Sequence, residues 1–267
     1  MSSFVLTLTD SRTMLRRNLR RLERYPSMTV LLIGMPIVFL LLFVYVFGGQ
    51  LGQGLGEEFA GGHSGRQAYL NYVVPGILLM TLAAAVQGTA IVVAMDMTGG
   101  ITDRFRTMSI ARAAVLGGHV MAAFIQAVLS VAIVLAVALA LGFRPTADPL
   151  DWLGAIGMLG LFGLGLIWLA TALGLAAKSV ETASNTPMFL TLLPLLGSGF
   201  VPTESMPEGL RQFAEYQPFT PVAETVRGLL TGSNIGSAAI VALAWSLAII
   251  AASYLWAVHL YNHRSPR

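Results

Sequence analysis

The chain has 267 residues, 55% of them hydrophobic and 11% charged, less than half the roughly 25% charged of an ordinary soluble domain. Too few polar side chains remain to cover a water-soluble surface of this size, so most of the apolar exterior must face a bilayer. The lack of cysteine excludes disulfides, thiolate zinc sites and cysteine nucleophiles. The single lysine, Lys178, follows Ala177 and not a glycine, which excludes a Walker A phosphate loop. The four histidines, His63, His119, His259 and His263, have no metal-ligand spacing.

Residues 4–24 come first. Phe4, Leu8, Leu15, Leu19 and Leu22 share one helical face, and Arg16, Arg17, Arg20, Arg21 and Arg24 crowd the rest. A basic amphipathic helix of this kind lies in the membrane interface. It reads either as a positive anchor alone or as an elbow helix that also touches a cytoplasmic partner. The first apolar run lies behind this segment and reads as a retained anchor, not a cleaved signal.

A span needs about 20 apolar residues. Six runs are read as spans: 27–48, 70–95, 113–142, 152–177, 186–201 and 235–261. With the N-terminus inside, the inner segments hold Arg12, Arg16, Arg17, Arg20, Arg21, Arg24, Arg104, Arg106, Arg112, Lys178, Arg264 and Arg267. Arg66, Arg144, Arg211 and Arg227 fall outside. This asymmetry predicts both termini in the cytoplasm. The expected fold is an all-α polytopic membrane protein with six transmembrane helices in one domain over 1–267.

The inner loop 96–112 is unusual. Asp103, Arg104 and Arg106 sit within about one helical turn, with Phe105, Met108 and Ile110 among them and Gly99-Gly100 before them. Topology alone explains the arginines but not the acids, the aromatic and the paired glycines. A short helix here is expected to dock into a groove on a cytoplasmic domain. In the fourth span, Gly154, Gly157, Gly160, Gly163 and Gly165 suit close helix packing.

The fifth run is short and contains Pro187 and Pro194. In the segment 202–234 that follows, Met206, Leu210, Phe213 and Ala214 repeat at helical spacing, as do Val222, Val226, Leu229 and Leu230. Gln217-Pro218-Phe219-Thr220-Pro221 breaks the two. Two short helices lying flat in the outer headgroups would satisfy the pattern. A half-inserted re-entrant hairpin is preferred, because the short fifth span leaves room above it.

The run from Asp96 to Phe143 resembles ABC-2 type exporter permeases, in particular the daunorubicin-resistance subfamily. The resemblance rests on Gly100, Asp103-Arg104-Phe105-Arg106, Arg112, Gly118 and Gly142-Phe143-Arg144. Phe200-Val201-Pro202, Met206-Pro207, Pro218 to Pro221 and Arg227 to Gly232 extend it over nearly the whole chain. Ser109 and His119 stand where the family usually has proline and arginine. The resemblance implies a permease without a nucleotide site and not itself an enzyme. It would be driven by two copies of a cytoplasmic ATP-binding subunit that hold ATP and Mg, and would pair with a second permease chain, identical or related. It also implies a bacterial plasma-membrane location, a hydrophobic or amphipathic substrate such as a drug, antibiotic or lipid, and coupling through Gly100, Asp103, Arg104, Phe105, Arg106 and Arg112.

Spans one, two and five of such a permease are expected to line the path or the dimer seam. Phe39, Phe43, Phe189 and Phe200 could form an aromatic wall, and Thr81 and Gln87 are polar positions in the second span. Such polar residues serve as inter-helix glue more often than as substrate contacts. The alternative is an ATP-independent secondary transporter or channel, which would need ionisable groups at membrane depth. Asp96 sits only at an inner boundary and Glu181 in an inner loop. A membrane enzyme built on His63, Glu57 and Glu58 is disfavoured by their Gly-rich outer loop. No nucleic-acid partner is expected.

Overall fold

The computed structural model describes residues 13, 15–18, 20, 26–55, 65–98 and 112–263, and among them all regular structure is helical. Helix α1, Pro26–Leu41, runs through a π-helical turn, Leu42–Phe47, into α2, Gly48–Gln53. The first apolar run therefore stays helical past residue 48, the expected end of the first span. The long helices α3 (Gly65–Thr98), α4 (Arg112–Ala140) and α5 (Pro149–Ala176) follow. Short pieces come next: α6 (Val180–Asn185), α7 (Met188–Leu192) and a 3-10 turn, Leu193–Leu196. Helices α8 (Glu208–Tyr216), α9 (Phe219–Thr231) and α10 (Ala238–His263) complete the described chain. Of residues 4–24, those described are helical.

Five helical stretches among the described residues are long and apolar enough to cross a bilayer: Leu32–Gln53, Gly65–Thr98, Leu116–Ala140, Pro149–Ala176 and Ala238–Tyr261. The fifth expected span, 186–201, is not a continuous helix. Pro187 and Pro194 each lack the N–H that would extend an α-helix, and the run becomes α7, the 3-10 turn and a non-helical stretch from Gly197. Even so, it runs alongside α3 in the opposite direction. Gln87 of α3 bonds the Ser184 carbonyl at one end, and Tyr69 bonds the Phe200 carbonyl at the other. The stretch of α3 between those contacts is about 27 Å at 1.5 Å per residue.

Helix α3 lies in the middle of the bundle. Of its residues only Arg66, Met95 and Thr98 are exposed. It contacts α1, α4, α5, the fifth segment and α9. So central a helix needs neighbours that come close, and glycine permits this. Gly163 of α5 receives Leu82, and Gly174 lies against the Ala90 carbonyl and Val93. Gly165 faces α10 at Ile249 and Ile250, while Gly157 faces open space. The expected glycine packing thus holds at some positions and not at others. One approach is backbone to backbone, where Gly76 of α3 meets Gly199.

The ends of the bundle differ. At one, here the hairpin end, α2, residues 141–148, α8 and α9 gather. Gly142 takes φ 105° to stop α4, Phe143 is fully buried, and Arg144 donates to the Leu139 and Phe143 carbonyls. Asp148 then caps α5 by accepting the Leu150 and Asp151 amides, with Pro149 in the first turn. The other end holds the tail of α3, the start of α4 and α6.

Gly76→Ala should destabilise the protein by about 1–3 kcal/mol, because the new methyl meets the Gly199 backbone and not a side chain that can swing away. Gly157→Ala, facing open space on a helix, should be neutral or stabilising by up to about 1 kcal/mol. Thermal unfolding of both variants in detergent micelles checks the contrast.

Candidate functional site

At the hairpin end the broken fifth segment sets the problem. Residues 193–200 have left the α-helix, so their carbonyls lose the usual i+4 partners, and water does not reach a buried site. Side chains from elsewhere take their place. Gln217 Nε2 donates to the Leu193 carbonyl at 2.9 Å, Tyr72 Oη to the Ser198 carbonyl at 2.8 Å and Tyr69 Oη to the Phe200 carbonyl at 3.0 Å. The Ser198 amide donates to Thr220 Oγ1. Arg227 of α9, 3% exposed, donates from Nη2 to the Ser198 carbonyl and from Nε to the Tyr72 carbonyl at 3.2 Å. Its guanidinium also stacks 3.9 Å from the centre of the Tyr72 ring.

The sequence assigns Arg227 to an outer segment and says nothing of its burial. It is a buried cation joining α9, α3 and the fifth segment. The available signal was a charge on a helix whose neighbours Val222, Val226 and Leu230 are all buried. One turn earlier, burial pushes the Glu224 carboxyl above its ordinary value of 4.5, and the nearby Arg227 guanidinium pulls the other way.

The two expected short helices are present as α8 and α9, broken at Gln217 and Pro218. They bury differently. Helix α9 inserts against α3, α5 and α10. On α8 only Ala214 is buried, and Leu210 and Phe213 stay open on its apolar face.

At the other end Asp96, two residues before α3 stops, is buried with its side chain 4% exposed. Its Oδ2 accepts from Arg17 Nη2 at 2.9 Å and lies 3.4 Å from His119 Nε2 on α4. The sequence marks Asp96 only as a boundary residue; the partners it meets are 79 residues earlier and 23 residues later. Of the expected coupling residues, Gly100, Asp103, Arg104, Phe105 and Arg106 lie outside the described residues, and Arg112 opens α4. His63, Glu57 and Glu58 also lie outside them.

The expected path residues divide. Phe39 and Phe43 stack at 6.2 Å, and Phe43 meets Phe200 at 4.8 Å, which joins the π-helical turn after α1 to the end of the fifth segment. Phe189 does not join this group and is 76% exposed. Thr81 is fully buried and its hydroxyl donates to the Ile77 carbonyl of its own helix, inside the packing and away from any open surface. Gln87 ties α3 to α6 through the Ser184 carbonyl at 3.1 Å.

Long apolar helices around one central helix define a multi-pass, all-helical membrane protein. The chain belongs to the ABC-2 type transporter family, whose model matches residues 9–231. It is 30% identical over 223 residues to the daunorubicin resistance ABC transporter permease protein DrrB1 of Streptomyces coeruleorubidus, covering 83% of this chain and 75% of that one. It is 23% identical over 175 residues to the probable doxorubicin resistance ABC transporter permease protein DrrC of Mycobacterium tuberculosis, covering 64% of this chain and 63% of that relative.

Replacing Arg227 with Met should destabilise the protein by about 2–4 kcal/mol, since hydrogen bonds from a charged donor contribute about 1.5–3 kcal/mol each. Arg227→Lys, whose point charge cannot reach two carbonyls and stack as well, should recover only part of this. Unfolding in micelles is the measurement. Glu224 adds a pH dependence: with its folded pKa raised, folding is favoured while it is protonated, and that contribution is lost as pH rises through the folded value. Raising the pH above 4.5 should therefore lower the Tm of the natural protein relative to Glu224→Gln, more steeply once Arg227 is removed.

Proposed function

We propose that this chain is the permease subunit of an ATP-driven exporter that moves a hydrophobic or amphipathic molecule out of a bacterial cell. Family membership over residues 9–231 is the observation that carries this reading. The two relatives are named for resistance to daunorubicin and doxorubicin, which suggests a drug-like substrate. With no Gly-Lys phosphate loop in the sequence, ATP and Mg would be held by two copies of a separate cytoplasmic subunit. A second permease chain, identical or related, would complete the complex.

In this reading the fifth segment is a crossing despite its breaks, because its course along α3 matches a hydrocarbon layer of roughly 30 Å. Six crossings put both termini and the 96–112 loop in the cytoplasm, where the arginine excess belongs. Helices α8 and α9 form an outer re-entrant hairpin. Gly100, Asp103, Arg104, Phe105, Arg106 and Arg112 carry the contact with the ATP-binding subunit. Irregular backbone at membrane depth is tolerated only against protein or a water-lined cavity. The open face of the fifth segment, with Phe189, therefore turns toward the partner permease or the path. Phe39 and Phe43 offer the path an aromatic wall, and the buried Phe200 packs behind it with Thr81 and Gln87.

ATP must favour one arrangement of the helices, and substrate must bind the two arrangements unequally. The test is co-purification with an ATP-binding subunit, followed by substrate-stimulated ATPase and uptake assays in proteoliposomes. ATP-dependent transport is expected; transport that survives ATP depletion, with no ATPase recovered, would overturn the reading. Replacing Arg104 and Arg106 together with Ala should lower transport per ATP hydrolysed by about tenfold while membrane insertion is unchanged, a typical size for a coupling contact.

A further inference from the structure

Asp96 is in an unusual position for a carboxylate. It is buried at the end of a helix with almost no exposed surface, and its side chain gathers groups from two other elements. Arg17 comes from the N-terminal segment and is itself one third exposed. His119 comes from the second turn of α4 and is buried. A buried charge that loses its partner costs several kcal/mol, so the three elements are held together more firmly than apolar contact alone would hold them. The connection between α3 and α4 begins three residues after Asp96 and ends eight residues before His119. Any push on that connection therefore reaches the bundle through the two helix ends that Asp96 ties to the N-terminal segment.

We propose that Asp96 is a positioning residue for energy coupling. It fastens the N-terminal segment, the end of α3 and the start of α4 into one rigid unit, so that a force on the connecting loop tilts all three together. Without it, α3 and α4 hinge separately and the motion dissipates locally. The inference rests on the permease reading above and adds a residue outside the arginine-rich turn. It makes the N-terminal segment part of the transmission and not only an anchor.

The 267-residue chain has no cysteine, so a pair introduced at Arg20 and Met121, both exposed, takes spin labels without background. In the complete complex with its ATP-binding subunit, a narrow Arg20–Met121 distance distribution is expected. Asp96→Asn should broaden it and lower transport per ATP by at least about fivefold. The thermal midpoint and the amount of complex recovered are measured alongside. Asp96→Glu, which keeps the charge, should restore much of the coupling. If Asp96→Asn does not insert, Arg17→Gln serves, with a smaller loss in the same direction. A distribution that stays narrow, or a transport-to-hydrolysis ratio that stays natural, overturns the proposal. If the unsubstituted complex shows no ATP-dependent transport, the permease reading fails instead. The distance measurement, which needs no turnover, still decides whether Asp96 binds the three elements together.

Discussion

A helix that breaks inside packed protein frees carbonyl groups where water cannot satisfy them, and each would cost several kcal/mol if left alone. The stretch from Leu193 to Phe200 is such a break, and much of the hairpin end is arranged around it. Two tyrosines of α3, a glutamine at the α8–α9 turn and an arginine of α9 each donate to one of its carbonyls. The Ser198 carbonyl takes both Tyr72 and Arg227, so a single backbone oxygen joins three parts of the chain. The Gly76–Gly199 approach has the same origin, since the tyrosines reach those carbonyls only if the two backbones nearly touch.

Helix α3 is therefore the reference post of the molecule, and its two ends are secured by different physics. At the hairpin end a cation is neutralised by dipoles and an aromatic face, without a carboxylate within ion-pair distance among the described residues. At the other end an anion meets a guanidinium and an imidazole. The first arrangement satisfies an irregular segment; the second joins α3 and α4 to the N-terminal segment. A membrane offers little apolar driving force for helix association, so polar ties and small-residue contacts decide which elements move as one.

Much of this architecture was legible beforehand. The five long spans follow from composition and run length, because lipid accepts only apolar surface. The short helices of the hairpin follow from the spacing of Met206, Leu210, Phe213 and Ala214 and of Val222, Val226 and Leu230. Gly142-Phe143-Arg144 was visible only as part of a family pattern; the structure shows a positive φ, a buried ring and a capping side chain in these three consecutive residues. The prolines of the expected fifth span were visible too, but not how the chain tolerates them. Gly157 and Gly174 show the limit from the other side: both are helical glycines, yet one faces nothing and the other meets the α3 backbone.

Taken alone, the sequence determined that the chain resides in a bilayer, that it carries no phosphate loop of its own, and which family pattern it follows. Those properties depend on residue type and on spacing within a few helical turns. Only the tertiary structure decided that Arg227 is buried, that Asp96 binds the N-terminal segment to α4, that Thr81 is sealed in packing and that Phe189 stands away from the other aromatic rings. Each depends on partners far away in the chain, up to 155 residues for Arg227 and Tyr72. No local periodicity encodes which distant side chain will meet a given carbonyl.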